Sequence, residues 1–266
     1  MTALVDMHFH LEFAPDPAEV LQELEERGIS VLAVSCDAAG YLRSRAAMAD
    51  VAPALSLPAL GLHPWWVADG RVDDTMLEEF ERLAPDAHAF GELGLDFNDK
   101  HTTPDSHARQ LEVFERACVA AAASARAAGV RKPLSLHSVA ATTDELAILE
   151  RTGCLDACSC IFHWFSGSLP HLEQAREAGC WFSFNQMGMR TGKGREYCKL
   201  IPADRLLLET DLPPENPASS TGLIVDAVSS SLENTLAAIS ASRGCDIQDI
   251  RELTTANAYQ LLDHLA

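Results

Sequence analysis

The sequence lacks several features that would each indicate a class of protein. It has no uninterrupted run of about 18 apolar residues, so it predicts no membrane-spanning helix. The first ten residues show no basic start followed by an apolar run, so we expect no signal peptide. No GxGxxG motif follows the first apolar run, and no linker, low-complexity tract or heptad repeat divides the chain. These absences favour a single globular domain over residues 1–266.

Positive charge is also scarce. The chain has 20 Lys and Arg against 39 Asp and Glu, a net charge of −19. Long-range repulsion from nucleic acid therefore disfavours processive wrapping of duplex DNA. It does not exclude a nuclease, because bound dications would add positive charge at the site itself. The 8 cysteines are scattered in the sequence, so we expect reduced thiols and a cytoplasmic protein.

Short apolar runs alternate with amphipathic stretches along the whole chain. Eight of these runs are predicted strands, and a helix follows each of them. The predicted strands are Leu4–His10, Ser30–Cys36, Leu55–His63, His88–Phe97, Leu134–Val139, Cys158–Phe165, Cys180–Gln186 and Arg205–Asp211. This order predicts a single (β/α)₈ TIM-type barrel with extra C-terminal helices. An open doubly wound sheet is the alternative, and the count of eight argues against it.

Polar side chains stand at the carboxyl ends of six predicted strands, where the active sites of such barrels form. They are His8, His10, His63, Glu92, His137, His163, Glu209 and Asp211. Side chains alternate faces along a strand, so His8 and His10 share a face, as do Glu209 and Asp211. Imidazole and carboxylate ligands suit zinc or manganese. Six ligands exceed what one catalytic zinc takes, so two cations fit the count better.

Each of these residues also has a simpler interpretation on its own. His137 and His163 could be hydrogen-bonded core histidines, and Asp211 could cap the following helix. Glu92 could be a turn residue between two glycines, although its neighbours are apolar and an unpaired buried carboxylate is costly. Their joint placement at strand ends favours the metal site.

The motifs resemble those of the TatD-type metal-dependent deoxyribonucleases, within the wider amidohydrolase-like barrels. The resemblance runs from residue 4 to about residue 260, in the family's order, and each motif alone is unspecific. The matching segments are Asp6–His10, Gly61–Pro64, Gly91–Asp96, Leu136–Ser138, Phe162–Ser168, Leu207–Asp211 and Asn257–Ala258.

The resemblance implies two divalent metal ions (Zn, Mn or Mg) and a ligand set for each. His8, His10 and Asp211 would hold one cation. Glu92 would bridge to the second, which His137 and His163 would complete.

The resemblance also implies roles beside the ligands. Glu209 would steady the ligands by hydrogen bonding. His63 would lie near the substrate phosphate, or alternatively pack at the rim. Two cations would lower the pKa of a water toward neutrality, and Asp211 is the candidate to accept or relay its proton. Glu92 and Asp211 are thus the predicted catalytic residues.

The chain departs from the family at expected substrate contacts. Val139 stands where the family often has an arginine, two residues after the strand-five histidine. The stretch 212–221 contains no Lys or Arg, and Arg190, Lys193 and Arg195 are the cations that could compensate. Hydrolysis is therefore better supported than DNA as the substrate, and the expected partner is DNA or a small phosphodiester.

Two other functions stay open at this point. One is a barrel amidohydrolase acting on C–N or ester bonds, a family that commonly uses a carbamylated lysine as its metal bridge. Here Glu92 occupies the strand-four position, and no lysine stands at a predicted strand end. The other is a non-catalytic metal-binding protein that has lost its substrate contacts. The missing basic residues support this non-catalytic interpretation.

Overall fold

The computed structural model describes residues 3–100, 103–217 and 220–265. Within these residues eight strands form one sheet in sequence order, and the strand pairs with a defined register are parallel. The strands are β1 (Leu4–Phe9), β2 (Ile29–Ala33), β3 (Leu57–Leu60), β4 (Ala89–Asp96), β5 (Lys132–Val139), β6 (Cys158–His163), β7 (Trp181–Phe184) and β8 (Leu206–Leu208). This is the topology of a (β/α)₈ barrel, so the predicted fold class is confirmed.

Helices follow the strands as predicted, because amphipathic stretches with capping residues separate the apolar runs. Asp16 caps α1 by accepting the Glu19 N–H at 3.0 Å, and Gly129 ends α5 with φ 69°. The helices are α1 (Pro17–Glu26), α2 (Ala38–Val51), α3 (Pro64–Ala68), α4 (Asp74–Leu83), α5 (Pro104–Ala128), α6 (Thr142–Thr152), α7 (Cys154–Ala157), α8 (Leu169–Glu177), α9 (Gln186–Met189), α10 (Gly192–Leu200), α11 (Thr221–Arg243) and α12 (Ile247–Leu262). None of those in the described ranges is long and apolar enough to cross a membrane.

The chain divides into two compact units. The first takes in Met1–Ala33, Leu42–Pro58 and Phe182–Ala266. In it β1 pairs with β2, and β7 pairs with β8. The segment after β8 returns to β1, because the His10 N–H donates to the Leu212 carbonyl at 2.7 Å. Every residue of β1 is buried, as expected for a parallel strand covered on both faces.

The second unit takes in Val34–Tyr41 and Ala59–Trp181. In it β4 pairs with β3 on one side and β5 on the other, and β5 pairs with β6. Helix α4 buries one apolar face, and its Phe80 ring lies 6.1 Å from the Phe90 ring of β4. Burial of this amphipathic face holds the helix on the sheet.

Seven of the eight strands end earlier than the sequence predicts, whereas β5 ends at Val139 as predicted. β1, β3 and β8 stop at Phe9, Leu60 and Leu208, whereas the predicted strands run on to His10, His63 and Asp211. Asp211 has a left-handed backbone with φ 61°, and His63 begins helix α3 as its N-cap. His10, His63 and Asp211 therefore lie just past the carboxyl ends of their strands. Local hydrogen bonds, different at each position, determine their backbone conformation.

Candidate metal centre

The first unit brings His8, His10 and Asp211 together. His8 Nε2 lies 3.7 Å and His10 Nε2 3.4 Å from the same carboxylate oxygen, Asp211 Oδ1. Each residue offers a ligand atom, and these atoms all lie within 4.8 Å of one another. Both histidines are buried, whereas the Asp211 side chain keeps 26% of its surface exposed. The group can hold a divalent cation and leaves its carboxylate accessible.

Backbone hydrogen bonds place Asp211 opposite the two histidines. The Asp211 N–H donates to the His8 carbonyl at 3.0 Å, and His10 and Leu212 are joined by the bond that returns the chain to β1. Aspartate adopts the left-handed region more readily than most residues, so the φ of 61° costs little free energy here. The carboxylate is thereby fixed by the strand ends rather than by a long flexible loop.

Asp6 supports this arrangement and was not among the predicted site residues. It is fully buried and accepts the His8 N–H at 3.1 Å and the Thr210 N–H at 3.0 Å, together with the Thr210 hydroxyl. Burial raises the pKa of Asp6 to about 7, although these hydrogen bonds oppose the rise. Asp6 thus ties the strand that carries the histidines to the segment that carries Asp211.

Glu209 is fully buried and held on both carboxylate oxygens. Asn185 Nδ2 donates to Oε1 at 2.9 Å, and the Ser183 hydroxyl donates to Oε2. Both donors stand at the end of β7. The carboxylate is therefore fixed in orientation, which suits the supporting role that the sequence predicts for it.

The second unit gathers the other predicted residues around Glu92, which is 1% exposed. Glu92 Oε1 lies 2.7 Å from His137 Nδ1 and 2.9 Å from His163 Nε2. Its other oxygen lies 3.4 Å from His63 Nε2. Ligand atoms of His63, Glu92 and His137 all lie within 4.8 Å of one another. One buried carboxylate therefore meets three imidazoles.

Asp96 joins the same cluster, and the sequence analysis did not assign it a role. Its Oδ2 lies 3.1 Å from His137 Nε2 and accepts the Trp65 indole N–H at 2.6 Å. Burial alone would raise the pKa of Asp96, but its bonds to His137 and Trp65 outweigh it and lower the pKa. Strand parity could have found this residue, because Glu92 and Asp96 are four apart on β4 and share a face.

His137 lies between these two carboxylates. Burial lowers its pKa, but hydrogen bonds to Asp96 and Glu92 prevail and raise the pKa to about 10. The cluster therefore favours positive charge at its centre, and a divalent cation fits the same donor set of imidazole nitrogens and carboxylate oxygens. Metal and proton would compete for these groups, so cation binding would release protons.

His63 has a second role that fixes its ring. Its Nδ1 accepts the Trp65 backbone N–H at 3.1 Å and so caps the short helix α3. Because Nδ1 accepts, the neutral ring carries its proton on Nε2, the nitrogen that faces Glu92. The sequence leaves open whether His63 packs at the rim or lies near the substrate phosphate. One residue can do both, because Nδ1 caps α3 while Nε2 faces the cluster.

Glu145 is a further buried carboxyl near the cluster, and no sequence motif marked it. It lies on α6 with no exposed surface, accepts the Leu95 N–H at 2.9 Å and hydrogen bonds with Ser138. Leu95 and Ser138 are register partners on β4 and β5, next to Asp96 and His137. Glu145 therefore braces the strand pair that carries the cluster. Burial raises its pKa to about 8 against these hydrogen bonds.

This raised pKa predicts a pH dependence of stability. In the unfolded chain Glu145 ionises near its ordinary pKa of 4.5, whereas in the folded protein it stays protonated up to about 8. The unfolding free energy of the wild type should therefore fall, relative to Glu145→Gln, by about 1.4 kcal/mol per pH unit across that window. Urea unfolding in EDTA at about pH 5 and about pH 8 measures the difference. Glu150→Gln, an exposed site on the same helix, is the control. Parallel curves for wild type and Glu145→Gln would contradict the prediction.

The cations that could compensate for the missing basic residues lie in the first unit, after β7. Arg190, Lys193 and Arg195 are all exposed, and Arg190 and Arg195 line an open surface cavity. The Arg195 guanidinium already donates to the Met189 and Arg190 carbonyls at 3.0 and 2.9 Å. Arg190 Nη1 lies 3.2 Å from Met187 Sδ and Lys193 Nζ lies 5.5 Å from the Tyr197 ring centroid, so all three cations have local partners.

The described lysines offer no support for an amidohydrolase bridge. Lys132 is buried, but it is the first residue of β5, and its Nζ donates to the Ala87 carbonyl at 2.6 Å and to Ser124 Oγ at 2.9 Å. His137 lies toward the carboxyl end of the same strand. The donors at the site are imidazoles and carboxylates, so this alternative is not favoured.

The parallel eight-stranded topology and the two His/carboxylate groups define a metal-dependent hydrolase of the (β/α)₈-barrel class. The family described as TatD related DNase matches residues 5–263. The chain belongs to this family, which confirms the predicted resemblance over nearly its whole length.

Individual relatives agree with this assignment. The chain is 26% identical over 274 residues to a putative deoxyribonuclease TATDN3 of Mus musculus, covering 98% of this chain and 89% of the relative. It is 29% identical to a 3'-5' ssDNA/RNA exonuclease TatD of Pantoea vagans, covering 76% of this chain and 75% of the relative. The crystal structure of the TatD homologue YJJV of Escherichia coli has the same fold, with a TM-score of 0.76 at 23% identity and 98% coverage of both chains.

Proposed function

We propose that this protein hydrolyses phosphodiester bonds in single-stranded DNA or in small phosphodiesters, with divalent cations as cofactors. The observation that carries the proposal is a pair of donor groups, formed by His8, His10 and Asp211 and by His63, Glu92 and His137, each of which offers three ligand atoms within 4.8 Å of one another. His163 joins the second group through its Nε2, 2.9 Å from Glu92 Oε1. Membership of a family described as DNases supports the bond type, and the similarity to the ssDNA/RNA exonuclease of Pantoea vagans supports a single-stranded substrate. The eight cysteines are free thiols, which agrees with a cytoplasmic location.

Two cations (Zn, Mn or Mg) are proposed, within one hydrolase domain over residues 1–266. His8, His10 and Asp211 hold one of them, and Glu92, His137 and His163 hold the other. Cations at these positions would lower the pKa of a water and offset negative charge on the phosphoryl oxygens. The donor set suits this role, since imidazole and carboxylate are common ligands of divalent transition metals.

Proton transfer is assigned to Asp211. Its side chain is 26% exposed, whereas Glu92 and Glu209 are almost or fully buried. Glu209 is also committed to Ser183 and Asn185 on both oxygens. Asp211 is thus the carboxylate that an attacking water can reach, and it accepts the proton of that water. His63 presents an N–H toward Glu92 and helps to hold that carboxylate in place.

Two variants test the proposal directly. His8→Ala and Asp211→Asn should each lower kcat/KM for bis(p-nitrophenyl) phosphate by about 100-fold or more, because each removes a metal donor. The assay uses added Mn²⁺, Mg²⁺ or Zn²⁺, and bound metal is measured by mass spectrometry. Asp249→Asn, an exposed site on α12, is the matched control. Full activity in both variants would show the mechanism to be wrong.

The same assay separates the alternative functions. A panel of single-stranded DNA, small phosphodiesters, amides and lactones is offered to the metal-loaded protein. We expect turnover of phosphodiesters and not of amides. Turnover of amides or lactones alone would favour an amidohydrolase, and turnover of none would favour a metal-binding role.

A further inference from the structure

Trp164 occupies an unusual position directly after His163 of the Glu92 cluster. His163 is 6% exposed, whereas the Trp164 indole is 41% exposed. The Trp164 backbone has φ 38°, in the left-handed region that bulky side chains seldom adopt. A large apolar side chain is therefore held toward solvent, next to a proposed metal ligand, in a conformation that is unfavourable on its own.

The turn around Trp164 explains how the indole is kept outward. Phe162 and Phe165 pack edge to face with ring centroids 5.5 Å apart. Gly167 makes room for Phe165, since a Cβ at Gly167 would lie 2.5 Å from the Phe165 ring. His163 faces the cluster and Phe165 packs on Phe162, so the residue between them is directed away from the core. The surrounding packing compensates for the strained backbone, which is the pattern found at functional sites.

A second indole lies beside the same cluster. Trp65 follows β3, is 36% exposed, and its ring centroid lies 5.8 Å from that of His137. Its N–H is held by Asp96 at 2.6 Å, which fixes the ring. Two partly exposed indoles therefore stand at the carboxyl ends of strands that deliver cluster residues. Trp65 is bonded into the cluster, so Trp164 is the one that can be changed without removing a contact to Asp96.

We infer that Trp164 is a base-stacking residue, which binds an unpaired nucleobase of the single-stranded DNA that the enzyme cleaves. This inference rests on the proposed function and specifies its substrate. Every base has a π-face, so an exposed indole binds bases without regard to sequence. An unpaired base is required, because the faces of paired bases in a duplex are already covered by their neighbours.

The charge of the chain makes stacking the suitable source of affinity. A net charge of −19 weakens long-range attraction to phosphates, and the stretch 212–221 has no Lys or Arg. Stacking on an indole does not depend on net charge and persists at physiological salt. Trp164 thus supplies affinity that does not require basic side chains.

Binding measurements test this role separately from catalysis. The probes are a fluorescein-labelled oligothymidylate and an abasic strand of the same length, both with phosphorothioate linkages that resist cleavage. Fluorescence anisotropy with the Mn²⁺-loaded protein gives the Kd. We expect Trp164→Ala to raise the Kd for oligothymidylate roughly 10- to 100-fold. The variant should then bind oligothymidylate and the abasic strand with equal affinity. Trp164→Phe should recover most of the affinity, because it keeps an aromatic face. The salt dependence of the Kd should not change, since no phosphate contact is removed.

The control is Tyr259→Ala, which removes an aromatic residue of similar exposure, 39%, from α12. It should bind both strands as the wild type does. Equal binding of the two strands by the wild type, or unchanged binding of oligothymidylate by Trp164→Ala, would overturn the inference. Cleavage is measured in parallel on the two strands with ordinary linkages. If the wild type cleaves neither, the proposed function is wrong, and the binding comparison still decides the role of Trp164.

Discussion

Replacing Glu92 by glutamine is expected to lower kcat for phosphodiester hydrolysis by at least about 1000-fold. Glutamine keeps the size of the side chain and one acceptor oxygen, but it removes the charge. Glu92 is 1% exposed and contacts three imidazoles, so its loss of charge leaves all three without their shared anionic partner. The variant should also lose the cation proposed at this group, while His8, His10 and Asp211 keep theirs.

The loss of charge should be visible in His137 as well. Glu92 is one of the two carboxylates that raise its pKa to about 10, so the pKa should fall in Glu92→Gln while Asp96 keeps part of the effect. Bound metal per chain, kcat with saturating Mn²⁺ and the His137 titration by NMR in EDTA are the three measurements. Glu81→Gln, which removes a half-buried glutamate paired with Arg116 at 2.7 Å, is the control. Wild-type metal content and kcat in Glu92→Gln would refute the assignment.

The order of strands and helices could be predicted from the sequence because its physical signals are local. Parallel strands buried on both faces appear as short apolar runs, and every residue of β1, β2, β4 and β6 is indeed buried. Helices are bounded by residues that act on their own backbone. Gly129, for example, ends α5 in the left-handed conformation that glycine adopts readily.

The ends of most strands could not be predicted, because tertiary contacts determine them. The apolar and polar pattern continues smoothly through His10 and Asp211, and nothing in it marks where pairing stops. In the folded chain Asp211 turns to φ 61° while its N–H bonds to the His8 carbonyl, a contact between residues about 200 apart. His63 lies in the predicted third strand for a similar reason, whereas in the folded chain its side chain caps the short helix α3.

The predicted metal ligands all lie in one of the two groups, and Glu209 was predicted as a supporting carboxyl, but Asp6, Asp96 and Glu145 were missed. Residue type and position at the carboxyl ends of strands point to His8, His10, Glu92 and His137, since the chemistry of metal binding restricts the choice. The partners of a buried carboxyl carry no such signature. In the sequence, Glu145 cannot be distinguished from any other acidic residue of an amphipathic helix. Its contacts with Leu95 and Ser138 form only when the chain folds. Asp96 could have been inferred from its parity with Glu92, whereas Glu145 could not.

The close approach of β4 and β5 leads to the largest expected effect on stability, in Gly94→Ala. Gly94 has φ 146°, which suits glycine alone, and is the register partner of His137. A Cβ there would lie 2.0 Å from the His137 carbonyl oxygen, a distance at which the backbone of β5 must shift. We expect a loss of about 4 kcal/mol or more and a fall in Tm of about 10 °C or more.

The control for this substitution separates the clash from backbone strain. Gly70 also has a positive φ, 81°, but a Cβ there would meet nothing within 4 Å. Gly70→Ala should therefore cost only about 1 kcal/mol, from the left-handed backbone alone. Differential scanning fluorimetry gives both Tm values, and the metal content of any folded Gly94→Ala reports on His137. β4 carries Glu92 and Asp96, and β5 carries His137. Moving the two strands apart should therefore weaken metal binding at the cluster before the chain unfolds. Equal Tm values for the two variants would contradict the prediction. They would mean that β5 shifts without loss of stability and that the β4–β5 spacing does not hold the cluster in place.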